Sequence, residues 1–177
     1  MNQDFQLSDR QTIVCERVIP VGRDRFWQAI ATREGLAEWF MPTNAEIVKG
    51  GRFSFQEGWE GVITQVTDRE AIQFEPDDAG GAFLRFEIAA VDEGCNFRLI
   101  DRMGAGKLAK NLMPQAPEYV VYQPGGPGTH WAGVVAGYHC FVNELQSHLT
   151  GTQAGSDYDD LCRHYQALMD QWHNLQT

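Results

Sequence analysis

The feature that most constrains this chain is the stretch Thr129–Leu149, THWAGVVAGYHCFVNELQSHL, which follows the loop Pro124-Gly125-Gly126-Pro127-Gly128 and stops before Thr150-Gly151. Thr129 is a candidate N-cap, because its hydroxyl can accept from a free backbone N–H of the first turn. Trp131, Val134, Val135, Tyr138, Phe141, Val142, Leu145 and Leu149 recur at spacings of three and four. That periodicity predicts a helix of about 21 residues, roughly 30 Å long, with one apolar face. Asn143, Glu144, Gln146 and Ser147 occupy the other face. A helix of this length needs a broad apolar partner, and the residues before it supply short strands.

Thr12–Ile19 reads as a strand with Ile13, Cys15 and Ile19 on one side of the pleat, and Pro20 ends it. Two short helices are expected next, one around Phe26, Trp27 and Ile30, the other from Glu34 to Phe40. Strands follow at Ala45–Val48, Arg52–Gln56, Val62–Thr67, Ala71–Glu75, Phe83–Val91 and Cys95–Met103, with Gly58 and Gly61 bracketing a hairpin tip that holds Trp59. In the last strand the inward alternation Cys95, Phe97, Leu99 runs on to Asp101. Asp101 is then either the polar end of an internal cavity or the point where the chain leaves the sheet.

Residues 104–128 form a connection too long for an ordinary loop and stiffened by Pro114, Pro117, Pro124 and Pro127. It reads as a lid over a cavity mouth or as a packed surface insertion. After a linker beginning at Gly151, Ser156 opens a last helix with the stripe Tyr158, Leu161, Tyr165, Leu168, Trp172 and Leu175, which docks on the domain or pairs with another chain. The expected organisation is therefore a domain over 1–150 and an appended linker and amphipathic helix over 151–177.

Twenty-four Asp and Glu against 14 Lys and Arg leave a formal charge of −10, and the basic residues form no cluster. That balance argues against a nucleic-acid partner. The polar start MNQDFQLSDR lacks the apolar core of a signal peptide, and no run approaches a membrane span. A cytoplasmic protein without a membrane partner is expected, as monomer or homodimer. Cys15, Cys95, Cys140 and Cys162 make no C-x-x-C pair and read as free thiols.

The order strand, two short helices, six strands, long helix defines an α+β helix-grip fold: a curved antiparallel sheet of about seven strands wrapped on a long C-terminal helix, plus the extra last helix. Glu16-Arg17-Val18-Ile19-Pro20, then Phe26-Trp27-Gln28-Ala29-Ile30 and Gly35-Leu36-Ala37-Glu38-Trp39-Phe40, resemble the opening of SRPBCC (START-like) proteins. The resemblance is to the branch related to the activator of the heat-shock-protein ATPase. Gly50-Gly51-Arg52-Phe53, Gly61-Val62-Ile63 and Gly94-Cys95-Asn96-Phe97-Arg98-Leu99 look like strands of that branch. Ala136–Leu145 resembles the opening of its final helix, and Tyr158–Tyr165 a terminal segment of bacterial members. Tyr138 stands where tryptophan is common in them. The resemblance spans nearly the whole chain and implies the fold; the superfamily hosts many functions.

A sheet gripping one helix encloses space lined by both. The candidate ligand-binding residues are Trp27, Trp39, Phe40, Phe53, Phe55, Phe74, Leu84, Phe86, Phe97 and Leu99, with Trp131, Val135, Tyr138 and Val142 from the helix. Their aromatic character favours a flat or elongated apolar ligand, with core packing as the plainer reading. Asp101, Tyr138 and His139 are the weak catalytic candidates, His139 being either a structural histidine or a general base. His130, His139 and Cys162-x-His164 form no zinc set, no Gly-x-Ser-x-Gly elbow or phosphate loop is present, and no cofactor is expected. Three functions follow: carriage of a small hydrophobic molecule, cyclase- or hydrolase-like chemistry on an aromatic or polyketide-like substrate, and a chaperone-associated or regulatory interaction module.

Overall fold

A computed structural model describes residues 5–9, 12–55, 58–77, 79–102, 131–153, 155 and 157–174. The described strands are β1 (Phe5–Asp9), β2 (Thr12–Ile19), β3 (Arg52–Phe55), β4 (Trp59–Thr67), β5 (Ala71–Pro76), β6 (Phe83–Val91) and β7 (Gly94–Arg102). The described helices are α1 (Arg23–Ile30), α2 (Arg33–Trp39), α3 (Trp131–Thr150) and α4 (Tyr158–Asn174). All strand pairs are antiparallel, in the order β1-β2-β7-β6-β5-β4-β3. The meander β3 to β7 thus returns to pair its last strand with β2, across the two short helices.

Three expectations about strands are corrected. Ala45–Val48 is not a strand: its backbone touches β3 through Glu46 N to Arg52 O at 3.0 Å, then Val48 N turns back onto Glu46 O at 2.7 Å. The tight return through Gly50 (φ +85) and Gly51 brings the chain round before a ladder can form. At the opposite edge, Phe5–Asp9, read as part of a polar lead-in, pairs with β2 instead. Its polar composition suits an edge strand, where one row of backbone groups faces water. Trp59 likewise lies in β4 opposite Phe55 rather than at a hairpin tip, half-buried against the Phe53 and Phe55 rings.

The two short helices are fixed by local chemistry. Thr32 caps α2, its hydroxyl accepting from Gly35 N at 3.0 Å. Gly35 is also the contact with α1: a Cβ there would lie 2.4 Å from the Gln28 carbonyl oxygen. Without a side chain at Gly35 the helices approach closely enough for Trp39 Nε1 to donate to Ala29 O at 2.9 Å. Phe26, Ala29, Ile30, Leu36 and Trp39 then face the sheet.

The polar face expected for α3 holds only in part. Asn143 is 7% exposed, because Arg17 reaches across from β2 and its Nη1 donates to Asn143 Oδ1 at 2.6 Å. Last, α4 begins at an Asp157 cap, whose Oδ1 accepts from Asp160 N at 3.0 Å; Ser156, expected to open the helix, lies outside the described residues. Leu161, Cys162 and Tyr165 join the single core. Tyr158 Oη donates to Gly133 O at 3.3 Å and Tyr165 Oη bonds His139 Nδ1 at 2.7 Å, so α4 runs parallel to α3. The expected pairing of this stripe, in its described part, is within the chain.

Candidate functional site

Inward-facing residues form rows across the sheet, and the rows differ in chemistry. One reads Cys15, Leu99, Phe86, Ile72, and another Ile13, Asp101, Leu84, Phe74, Ile63. Every member is buried. Asp101 is thus still in register between Ile13 and Leu84, and the strand does not leave the sheet there. A carboxyl group sits inside the apolar interior.

Most of the predicted aromatic lining packs on itself. Phe40 meets Phe55, Phe86 and Phe141 with ring centres 5.2, 5.5 and 4.7 Å apart. Trp39 contacts Phe86 and Phe97 at 5.3 and 6.0 Å, and Phe74 contacts Phe53, Phe55 and Phe86. These tilted and edge-on pairs favour packing over open space at that end. Trp27 is half-buried at the core's margin, while Leu84, Leu99, Val135 and Val142 are buried. The side chain of Trp131, His130 and the expected lid 104–128 lie outside the described residues.

Asp101 and Tyr138 come together. The Tyr138 hydroxyl donates to the Asp101 carboxylate, and both side chains are buried, Asp101 being 3% exposed. Burial, which disfavours the anion, is the larger effect and raises Asp101 from 3.8 to about 7; the Tyr138 hydrogen bond opposes it. Burial first, then the neighbouring carboxylate, pushes the Tyr138 phenol well above its usual value. This pair lies where β7 ends and in the N-terminal half of α3, at the side of the interior from which residues 103–130 depart.

His139 belongs to a different group. One position along α3, its ring turns toward α4, where Nδ1 bonds Tyr165 Oη, and its Nε2 lies 3.5 Å from Arg17 Nη2. Arg17 also donates from Nη1 to Asn143 and, at 3.2 Å, to Gln146 Oε1. The three catalytic candidates therefore divide into an Asp101–Tyr138 pair and a His139 set with Arg17, Asn143 and Tyr165. Sequence reading passed over Arg17, although the alternation Ile13, Cys15, Arg17, Ile19 places it on the inner face as surely as it places Asp101. No cluster of three or more His, Cys, Asp or Glu suited to a metal occurs among the described residues. The four cysteines are free; burial raises the thiols of Cys95, Cys140 and Cys162. No helix among the described residues is long and apolar enough to cross a membrane.

No family model matches the sequence, and no curated protein matches it. Solved structures do match. EF2215 of Enterococcus faecalis, a conserved protein of unknown function, aligns with TM-score 0.65 at 15% identity over 98% of this chain and 91% of its own. CalU16 of Micromonospora echinospora aligns with TM-score 0.63 at 12% identity, covering 90% and 87%. The fold is a helix grip. DynU16, a protein of the dynemicin biosynthetic locus, aligns with TM-score 0.57 at 18% identity over 83% of this chain, which spans half of the DynU16 chain. At these identities the likeness carries the architecture and leaves the chemistry to the residues of the site.

Proposed function

We propose that this protein binds a small apolar molecule bearing one polar group, in the interior between sheet and α3, with Asp101 and Tyr138 holding that group. The observation that carries the reading is the buried, hydrogen-bonded Asp101 in an otherwise apolar row. A carboxyl kept from water at the cost of its own ionisation is characteristic of a functional site. Leu84, Leu99, Val135 and Val142 supply apolar wall beside the pair, and Trp27, Trp39, Phe40, Phe53, Phe55, Phe74, Phe86 and Phe97 back it. In this reading residues 104–128 act as the lid, and Trp131 lines the interior from α3. The chain is then a cytoplasmic START-like protein of the branch related to the activator of the heat-shock-protein ATPase, the placement supported by its sequence motifs. Residues 1–150 are the binding domain, with 151–177 appended.

A second reading is favoured by one observation. Asp101 titrates at about 7, where a general acid–base group is most effective, so turnover of a bound aromatic or polyketide-like substrate is the enzymatic version of the same site. His139 takes no part in it. The interaction-module reading loses support, since Trp59 packs half-buried against the core and Leu161, Cys162 and Tyr165 of α4 belong to it.

Native mass spectrometry of the purified chain, with organic extraction, tests the binding reading. A retained apolar molecule, or saturable enhancement of the neutral dye Nile red that Asp101→Ala or Tyr138→Phe alters, supports it. A clean mass together with no Nile red response would defeat it.

A further inference from the structure

The seam between α3 and α4 carries two thiols that the interior site does not use. Along α3, Gly133, Ala136 and Cys140 recur at spacings of three and four; along α4, Tyr158, Cys162 and Tyr165 do the same. Residues so spaced share one helix face. These are the two faces in contact. Tyr158 Oη donates to Gly133 O at 3.3 Å at one end of the seam, and Tyr165 Oη bonds His139 Nδ1 at 2.7 Å at the other. Cys162 lies between the two tyrosines on its face and is buried, while Cys140 follows His139 by one residue and is half-buried.

Small residues bring the two backbones together. Gly133 and Ala136 put at most a methyl group into the seam, and Ala136 is fully buried. Long side chains lean back toward the start of their own helix. The backbone of Cys162, between the tyrosines, therefore stands level with Cys140 rather than with Ala136. The electrostatics agree: after burial, the largest influence raising the Cys140 thiol is Cys162, ahead of Glu144 one turn along the same helix. The other two cysteines have no such neighbour. Cys15 stands opposite Phe5 and Leu99, and Cys95 opposite Ile19 and Ala90, so neither faces a thiol across the sheet.

We propose that Cys140 and Cys162 are a redox site, closing to a reversible disulfide that fastens α4 onto α3 when a peroxide supplies the oxidising equivalents. Cys140, the thiol with access to solvent, attacks one peroxide oxygen as its thiolate. The O–O bond breaks, the sulfur becomes a sulfenic acid, and the departing hydroxide takes up the thiol's proton as water. The Cys162 sulfur then displaces the sulfenic hydroxyl, which leaves as a second water with the Cys162 proton, and the S–S bond forms. Two thiols and one peroxide thus give one disulfide and two waters. Burial raises both thiols, so the reaction quickens as pH rises toward the thiol range. The bond closes the loop 140–162 and ties down a helix otherwise held by side-chain contacts.

The test is treatment of the reduced full chain with hydrogen peroxide from neutral to alkaline pH, then alkylation in urea and mass spectrometry of the peptides. Cleavage after glutamate separates the two cysteines at Glu144. A Cys140–Cys162 link that dithiothreitol reverses, with Cys15 and Cys95 alkylated, supports the proposal. Oxidation of Cys140 beyond the sulfenic stage with Cys162 still a thiol overturns it. Bonds between copies of the chain, or two unreacted thiols across the whole pH range, overturn it as well. Amide exchange over 158–165 should slow about tenfold or more in the oxidised chain. Equal exchange in the two forms would overturn the fastening of α4.

Discussion

Replacing Asp101 by Asn removes the titration of the buried carboxyl while keeping its size and an oxygen for Tyr138. In the folded chain Asp101 holds its proton to about 7, against 3.8 for the ordinary side chain. The folded state therefore binds more protons than the unfolded state between those values, and stability falls as pH rises through that window. At about 1.36 kcal/mol per pH unit, the interval from 3.8 to about 7 corresponds to a loss of about 4 kcal/mol, complete above pH 7. The asparagine variant does not titrate there. Its amide N–H groups add a roughly pH-independent cost of about 1–3 kcal/mol if they find no partner. The difference in stability between variant and wild type should then shift toward the variant by about 4 kcal/mol from pH 4 to pH 8. Urea unfolding followed by tryptophan fluorescence at each pH reads it directly, since every other titrating group cancels in the difference. Parallel stability curves would refute the reasoning and mean that Asp101 ionises as it does in water. A shift in favour of wild type would mean that the Tyr138 hydrogen bond outweighs burial.

Tyr138→Phe removes a hydrogen bond that favours the Asp101 anion, so the carboxyl resonance followed by NMR should titrate at a higher pH than in wild type. Arg17→Met leaves Asn143 and Gln146 without their charged donor beneath α3; a loss of about 1.5–3 kcal/mol is expected from denaturant midpoints, with no change in the pH dependence assigned to Asp101. Phe86→Ala empties the centre of the ring cluster, touching Trp39, Phe40, Phe74 and Phe97, and should cost about 3–5 kcal/mol by the same measure.

Six strands and the long and short helices are legible in the sequence because each carries its own period. Cys95, Phe97 and Leu99 alternate whatever surrounds them, and the α4 stripe repeats at three and four from Tyr158 on. Ala45–Val48 misled because β-branched content says nothing of the return through Gly50-Gly51 that consumes the space a ladder would need. Phe5–Asp9 was missed for the opposite reason: an edge strand needs little apolar pattern of its own when β2 offers it a partner.

The candidate site shows the same division. Alternation alone puts Asp101, and with equal force Arg17, on the inner face of the sheet. Periodicity cannot say which of two adjacent helix residues meets which of these, because that depends on how α3 is rotated over the sheet and where α4 lies. The tertiary structure sets that rotation: Tyr138 turns to Asp101, and His139 turns to Arg17 and Tyr165. It alone also raises the Asp101 carboxyl to about 7, since desolvation is a property of what packs around a group and not of the residues beside it in the chain.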